Sequence, residues 1–425
     1  MMRQFALIIL ALGLVFPAYP QTSTYQADLD ALYALLQKTP SYKDQIKEET
    51  AASYEALYQS LRNDTATTRN TFDRYIKIAR LLFPIRDNHL GFFQFPHAVL
   101  KASDYGNAAA IQQYRATAYF KDYPASGLRL DSLQKRLAKK PIDSLEGIYY
   151  YDSLLMVGLY RSGTAELTGV VLHTRLPQWE KGQVAIRLFE YQPQFFRAVY
   201  SHPTEKNLIY YSNEKFRNQS LVNSWFYGTP SQSAYKKVLH QTDYVNIPRH
   251  QPPFEFTSIS PGIQYLRLGN FSADPEDMKV SQAFYGRIRD SLTAAHLIVD
   301  LRNNTGGADK VSNKFLWLIK KYADQGKVYV LINNGTMSQG EIFTLQLKKL
   351  SAVTTYGQTT MGTIAYGVNY GGMKKLPSGQ YGAIMTDMRD HASLLQYENY
   401  GITPENILNN QSDWVSQVLK LINDK

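Results

Sequence analysis

Downstream of Pro261 short apolar runs alternate with longer amphipathic stretches, a pattern that few folds accept. Ile263–Leu268, His296–Leu301, Val328–Ile332 and Ala352–Tyr356 read as strands, and residues 276–294, 308–322 and 340–350 read as helices. The second of these strands opens on a histidine and is otherwise almost unbroken apolar sequence. A strand of that kind is buried on both faces, as in a parallel sheet. Strands alternating with helices therefore predict an α/β domain over 255–425, its sheet covered on both sides.

The upstream sequence follows other periods. In residues 24–83 apolar side chains recur at helical spacing: Leu29, Leu32, Leu35 and Leu36, then Ile46, Tyr54, Leu57, Tyr58 and Leu61, then Phe72, Tyr75, Ile76, Ala79 and Leu82. Pro84 ends that pattern, a turn-like run follows at 86–91, and 100–140 reads as polar helix. From Gly147 the repeat shortens. Residues 148–151, 154–160, 167–173 and 184–188 are β-type runs between glycines, serines and prolines. The expected organisation is a helical N-terminal region (24–140), a β-rich domain (145–250) and the α/β domain, joined near Pro252-Pro253. A chain of 425 residues is long enough for more than one core.

The first residues constrain location. Arg3 precedes an apolar run from Phe5 to Ala18, too short to span a bilayer but suited to the core of a signal peptide over 1–20. Export to the periplasm, outer surface or medium is the expectation. No later run is long and apolar enough to predict a transmembrane segment. The chain has no cysteine, which excludes disulfides and thiolate catalysis. Its net charge of +10 is scattered over the sequence without a nucleic-acid motif, so no nucleic-acid partner is expected. The histidines show no metal-ligand spacing, and neither a metal nor an organic cofactor is expected.

Two stretches carry chemistry. Asp300-Leu301-Arg302-Asn303-Asn304-Thr305-Gly306-Gly307 follows a strand and precedes a helix. Consecutive glycines there bring backbone N–H groups close to a ligand at a helix N-terminus, suiting an oxyanion hole or a phosphate. The Gly-Lys-Ser/Thr ending of a P-loop is missing. Strand Val328–Ile332 then runs into Gly335-Thr336-Met337-Ser338-Gln339-Gly340-Glu341, which sets Ser338 at a strand-to-helix turn. A nucleophile is well served there, and a helix N-cap is the competing account. A serine nucleophile needs a base. His89, in the polar turn Asp87-Asn88-His89-Leu90-Gly91, is a candidate, expected exposed and titrating at roughly 6 to 7. Glu398 lies in a C-terminal loop and could orient it. Arg302 and Glu341 read as structural, one anchoring its loop and the other favouring the helix dipole.

Taken in order, Tyr265–Phe271, Asp300–Gly307, Thr336–Glu341, Gly357–Gly362 and Gly401–Pro404 resemble the blocks of the tail-specific (C-terminal processing) serine peptidases. The resemblance covers roughly 260–410, with the helical segment ending at His89 similar to that family's N-terminal region. It implies a crotonase-like catalytic domain and hydrolysis of peptide or protein substrates. Lysine-dependent members carry Thr-Phe-Gly-Lys-Gly beyond the nucleophile. Here Thr360-Met361-Gly362-Thr363-Ile364 puts Thr363 at the lysine position, which excludes a Ser–Lys dyad there. The chain instead resembles the tricorn-type branch, which implies Ser338 as nucleophile, His89 as base and Glu398 as the orienting acid. Gly306, Gly307 and Gln339 would then supply oxyanion or substrate contacts. A PDZ-like carboxylate-binding loop is missing from 145–250, so the β-rich domain stands in its place. The same resemblance also admits an exported, catalytically silent relative that binds peptides or glycans, and an esterase using the same triad.

Overall fold

The computed structural model describes residues 24–64, 70–229, 234–248, 250–389 and 392–424. The expected signal peptide over 1–20 lies outside them. The chain is a mixed helix-and-sheet protein in which two sheets meet beside the strand-to-helix turn of Ser338.

The C-terminal sheet has six strands. Phe254–Ser260 pairs antiparallel with Ile263–Leu268, and from there His296–Asp300, Lys327–Ile332, Val353–Gly357 and Asn406–Ile407 add in parallel. Side-chain alternation along these strands builds two cores. Leu266, Leu268, Leu297, Val299, Val328 and Val330 face helices Pro275–Ile288, Asp309–Ala323 and Gln339–Leu347. Tyr265, Ile298, Tyr329 and Leu331 face Trp414 and Val418 of the last helix. Every parallel strand ends on the same side of the sheet, so the loops after Asp300, Ile332 and Gly357 are forced together. Ligand sites of open parallel sheets sit at that carboxyl edge.

The other sheet has eleven strands, all antiparallel. Eight run from Gly147–Tyr151 to Tyr235–Lys236, and they close on themselves because Ser220–Leu221 pairs with both Leu208–Arg217 and Tyr235–Lys236. Closure removes two exposed edges. The sheet extends past the expected 145–250 segment. Gly91–Gln94 pairs with Leu208–Arg217 and with Tyr381–Ile384, so one strand from the N-terminal region and two from the C-terminal region join it. The N-terminal helices Thr24–Leu36, Glu49–Asn63 and Thr71–Ala79 share its core through Leu29, Leu32, Tyr54, Tyr75 and Ile78. No helix among the described residues is long and apolar enough to cross a membrane.

Candidate active site

Ser338 stands where strand Lys327–Ile332 turns into helix Gln339–Leu347, with φ 52° and ψ −123°. A non-glycine residue held at positive φ is strained, and such strain persists only where surrounding bonds over-determine it. They do so here. The Ser338 N–H donates to Thr363 O at 2.9 Å and to the Glu341 carboxylate at 3.2 Å. Met337 N–H donates to Asn304 O at 2.9 Å. The turn is therefore tied to both neighbouring loops.

Gly306 is a close-approach residue. A Cβ there would lie 2.8 Å from Ser338 Cβ and 2.8 Å from Gln339 N, so only glycine lets the loop pass behind the serine. Its N–H is committed to Asn304 Oδ1 at 2.8 Å. This corrects the expectation for Gly306, which shapes the hole without donating into it. The N–H groups of Gly307 and Gln339 meet no acceptor among the described residues and remain available to an oxyanion. Gly307 itself lies against Phe271, where a Cβ would fall 2.0 Å from the carbonyl oxygen. Arg302 anchors the same loop through a buried ion pair with Asp300 at 2.6 Å.

Glu341 does more than favour a helix dipole. Fully buried, it accepts the N–H groups of Gly362 (2.8 Å), Thr363 (2.9 Å) and Ser338, and the Thr360 hydroxyl. Burial raises its pKa against these bonds. Thr363 stands beside Ser338, and its hydroxyl is buried without a partner among the described residues.

Long-range bonds bring His89 to the same place. Asn88 Nδ2 donates to Gly362 O at 2.5 Å, one residue from the carbonyl that holds Ser338. Asn88 N–H donates to Glu398 at 2.7 Å, and Glu398 also accepts from Ile364 (2.8 Å) and Ala365 (2.9 Å). Two expectations are revised by this arrangement. His89 is largely buried, not exposed, and burial pushes its pKa down to about 4. Its Nδ1 is buried with no hydrogen-bond partner among the described residues, so Glu398 reaches the His89 segment through the Asn88 backbone instead of the imidazole. Burial, then the charge of Asp87, pushes Glu398 up to about 8. Asp87 is itself buried and raised to about 6. It accepts from His89 N–H and the Thr386 hydroxyl.

Asn88, Asn304 and Lys215 belong to this centre and were not singled out from sequence. A charged run inside a β-strand, Asn213-Glu214-Lys215-Phe216-Arg217, was the available signal for the last of them. Among the described residues no three histidine, aspartate or glutamate side chains gather as a metal site.

A serine held under strain at a strand-to-helix turn, with uncommitted amides beside it, has the geometry that acyl transfer by a serine nucleophile requires. Residues 318–404, which include Ser338, Glu341, Thr363 and Glu398, match the model of peptidase family S41. That match covers about a fifth of the chain and marks this segment as similar to the S41 serine peptidases. No curated protein matches the sequence. Among solved structures the chain is similar to mature CPAF complexed with lactacystin, at 14% identity over 94% of this chain and 98% of that one, TM-score 0.42. It is also similar to the tricorn protease (14% identity, 94% and 37%, TM-score 0.38) and to the photosystem II D1 C-terminal processing protease (14%, 93% and 96%, TM-score 0.36).

Proposed function

We propose that this chain is an exported endopeptidase that hydrolyses peptide bonds by acyl transfer through Ser338. The serine hydroxyl attacks a peptide carbonyl, His89 takes its proton and returns it to the leaving amine, and water then releases the acyl group. Gly307 and Gln339 N–H groups hold the oxyanion. Glu398 orients the His89 segment through Asn88 and, when ionised, stabilises the imidazolium. The observation that carries this reading is the strained Ser338 packed on Gly306 between two uncommitted N–H groups. The apolar run from Phe5 to Ala18 supports export, with the mature chain starting between residues 18 and 25. N-terminal sequencing of protein from the producing cell checks that start, and an intact Met1 refutes it.

One observation favours a second reading, a catalytically silent relative that binds peptides in the same cleft: among the described residues the His89 imidazole has no partner for Nδ1. Fluorophosphonate labelling and digestion of a denatured-protein mixture, with new termini mapped by mass spectrometry, separate the two. The peptidase labels at Ser338 and cuts, and Ser338→Ala does neither, with a loss on the order of 10⁶ in kcat. An unlabelled wild-type protein that produces no new termini refutes the peptidase reading.

A further inference from the structure

The active centre is not confined to the C-terminal sheet. Strand Leu208–Arg217 of the eleven-stranded sheet lies along the loop that follows Gly357, and its residues at i, i+2 and i+4 share one face. That face is a row of donors. Asn213 Nδ2 donates to Met361 O at 3.0 Å and to Asn399 O at 2.9 Å. Lys215 Nζ donates to Met361 O at 2.6 Å and to Thr360 O at 3.4 Å. Arg217 Nη1 donates to Thr359 O at 3.1 Å. Next along the chain, Ser212 Oγ donates to Asn88 Oδ1 at 2.5 Å, which extends the contact to the His89 segment.

Lys215 is the unusual member. It is 1% exposed and forms no ion pair within 4 Å among the described residues. Burial without a carboxylate against it, and then the charge of Arg217, pushes its pKa down to about 7. Three buried acids, Glu341, Glu214 and Glu398, oppose that shift. Glu341 takes the N–H groups of Gly362 and Thr363 while Lys215 takes the carbonyls of Thr360 and Met361. The loop's peptide groups thus lie between an acid that accepts on their N–H side and an amino group that donates on their C=O side. Thr363 O, at the end of this clamped segment, accepts the Ser338 N–H.

We propose that Asn213 and Lys215 are positioning residues for the nucleophile, holding loop 359–363 from the side opposite Glu341 so that Ser338 keeps its strained geometry. The β-rich sheet, which stands in the place of a PDZ domain, is on this account a working part of the catalytic centre. The inference deepens the peptidase reading and rests on it for its catalytic consequence.

Lys215→Met and Asn213→Ala are compared with wild type in the full chain, well below their melting temperatures. Competent sites are counted by fluorophosphonate titration, and hydrolysis of fluorescein-labelled casein gives kcat and KM per counted site. Amide hydrogen exchange is followed across 359–363. Lys215→Met should lower per-site kcat on the order of 10²-fold, and Asn213→Ala about 10-fold, each with KM within about threefold, as expected for a displaced reacting group. Exchange at Gly362 and Thr363 should quicken by about 10-fold or more. A purely structural role would reduce the number of labelled sites and leave the rate per site unchanged. Wild-type kcat per site in Lys215→Met, or unchanged exchange in the loop, overturns the proposal. If Lys215→Met does not fold, Asn213→Ala decides by the same two measurements. A wild-type protein that neither labels nor cuts casein sinks the peptidase reading, and loop exchange in the two variants then decides the positioning claim alone.

Discussion

Replacing Glu398 by Gln has a consequence that changes with pH. The carboxyl is raised to about 8 by burial and by Asp87. It is therefore about 1% ionised at pH 6, about 10% at pH 7 and about 90% at pH 9. A neutral carboxyl and an amide present similar hydrogen-bonding atoms, so Gln copies the protonated form of Glu398 and not the ionised one. His89, lowered to about 4, is already neutral over this whole range and adds no slope. In the proposed mechanism only the ionised acid offsets the charge that His89 acquires in the transition state. Wild-type kcat/KM should then rise about fivefold per pH unit from pH 6 to pH 8 and level off by pH 9, while Glu398→Gln stays flat. The ratio of the two should be small at pH 6 and reach ~10² by pH 9.

Stability should move the other way. The folded-state pKa of Glu398 lies above its unfolded value near 4.5, so its contribution is fully present below 4.5 and is lost as pH rises through about 8. Wild type loses up to about 1.4 kcal/mol per pH unit between those values on account of this group, and Glu398→Gln does not. The variant should gain stability relative to wild type over the range in which it loses relative activity, which rules out unfolding as the cause. The assay is kcat/KM on one fluorogenic peptide from pH 6 to 9, with urea midpoints at the same pH values. A ratio that is constant with pH refutes the assignment of Glu398, and a variant as active as wild type at pH 9 refutes it more strongly.

His89→Gln should abolish fluorophosphonate labelling while circular dichroism stays native; labelling at the wild-type rate would mean another base. Gly306→Ala places a methyl 2.8 Å from Ser338 Cβ at φ +83°, and should cost about 1–3 kcal/mol by urea denaturation together with most of the labelling; an active, equally stable variant would show that the loop does not pack behind the serine as described. Thr363→Val removes a buried hydroxyl that has no partner and should stabilise the fold by about 1 kcal/mol, read as a higher urea midpoint. A loss of stability would show that the hydroxyl is bonded after all.

What the sequence revealed about the site was its local part. Ser338, Gly306 and Gly307 follow strand ends within a few residues, and the rule that parallel strands end on one side of a sheet brings their loops together without further information. The remainder depends on partners far away in the chain. Asn88 and Glu398 are 310 positions apart, and neither residue's neighbours signal the other. His89 was expected exposed because Asp87 and Asn88 beside it are polar. Both turn inward, Asp87 to Thr386 and Asn88 to Gly362 and Ser212, and they bury the imidazole with them. The limits of the β-rich sheet were hidden for a similar reason. Gly91–Gln94 and Tyr381–Ile384 are short, and their place in the sheet is set by pairing with each other and with Leu208–Arg217.

On the peptidase reading these long-range bonds tie a nucleophile, oxyanion loop and orienting acid that all lie beyond residue 255 to the first two regions of the chain. Removed from them, the C-terminal sheet would expose the carbonyls of Thr360, Met361, Gly362 and Asn399, which accept from Lys215, Asn213 and Asn88. Those groups would turn to water, and the donors of Glu341 and the Ser338 N–H would lose the fixed loop they meet. The strain at Ser338 would then have less to hold it, since positive φ at a serine is kept only by bonds that cannot all relax together. The candidate centre is thus the junction of three chain segments, held by bonds between the two sheets as well as by bonds within the C-terminal one.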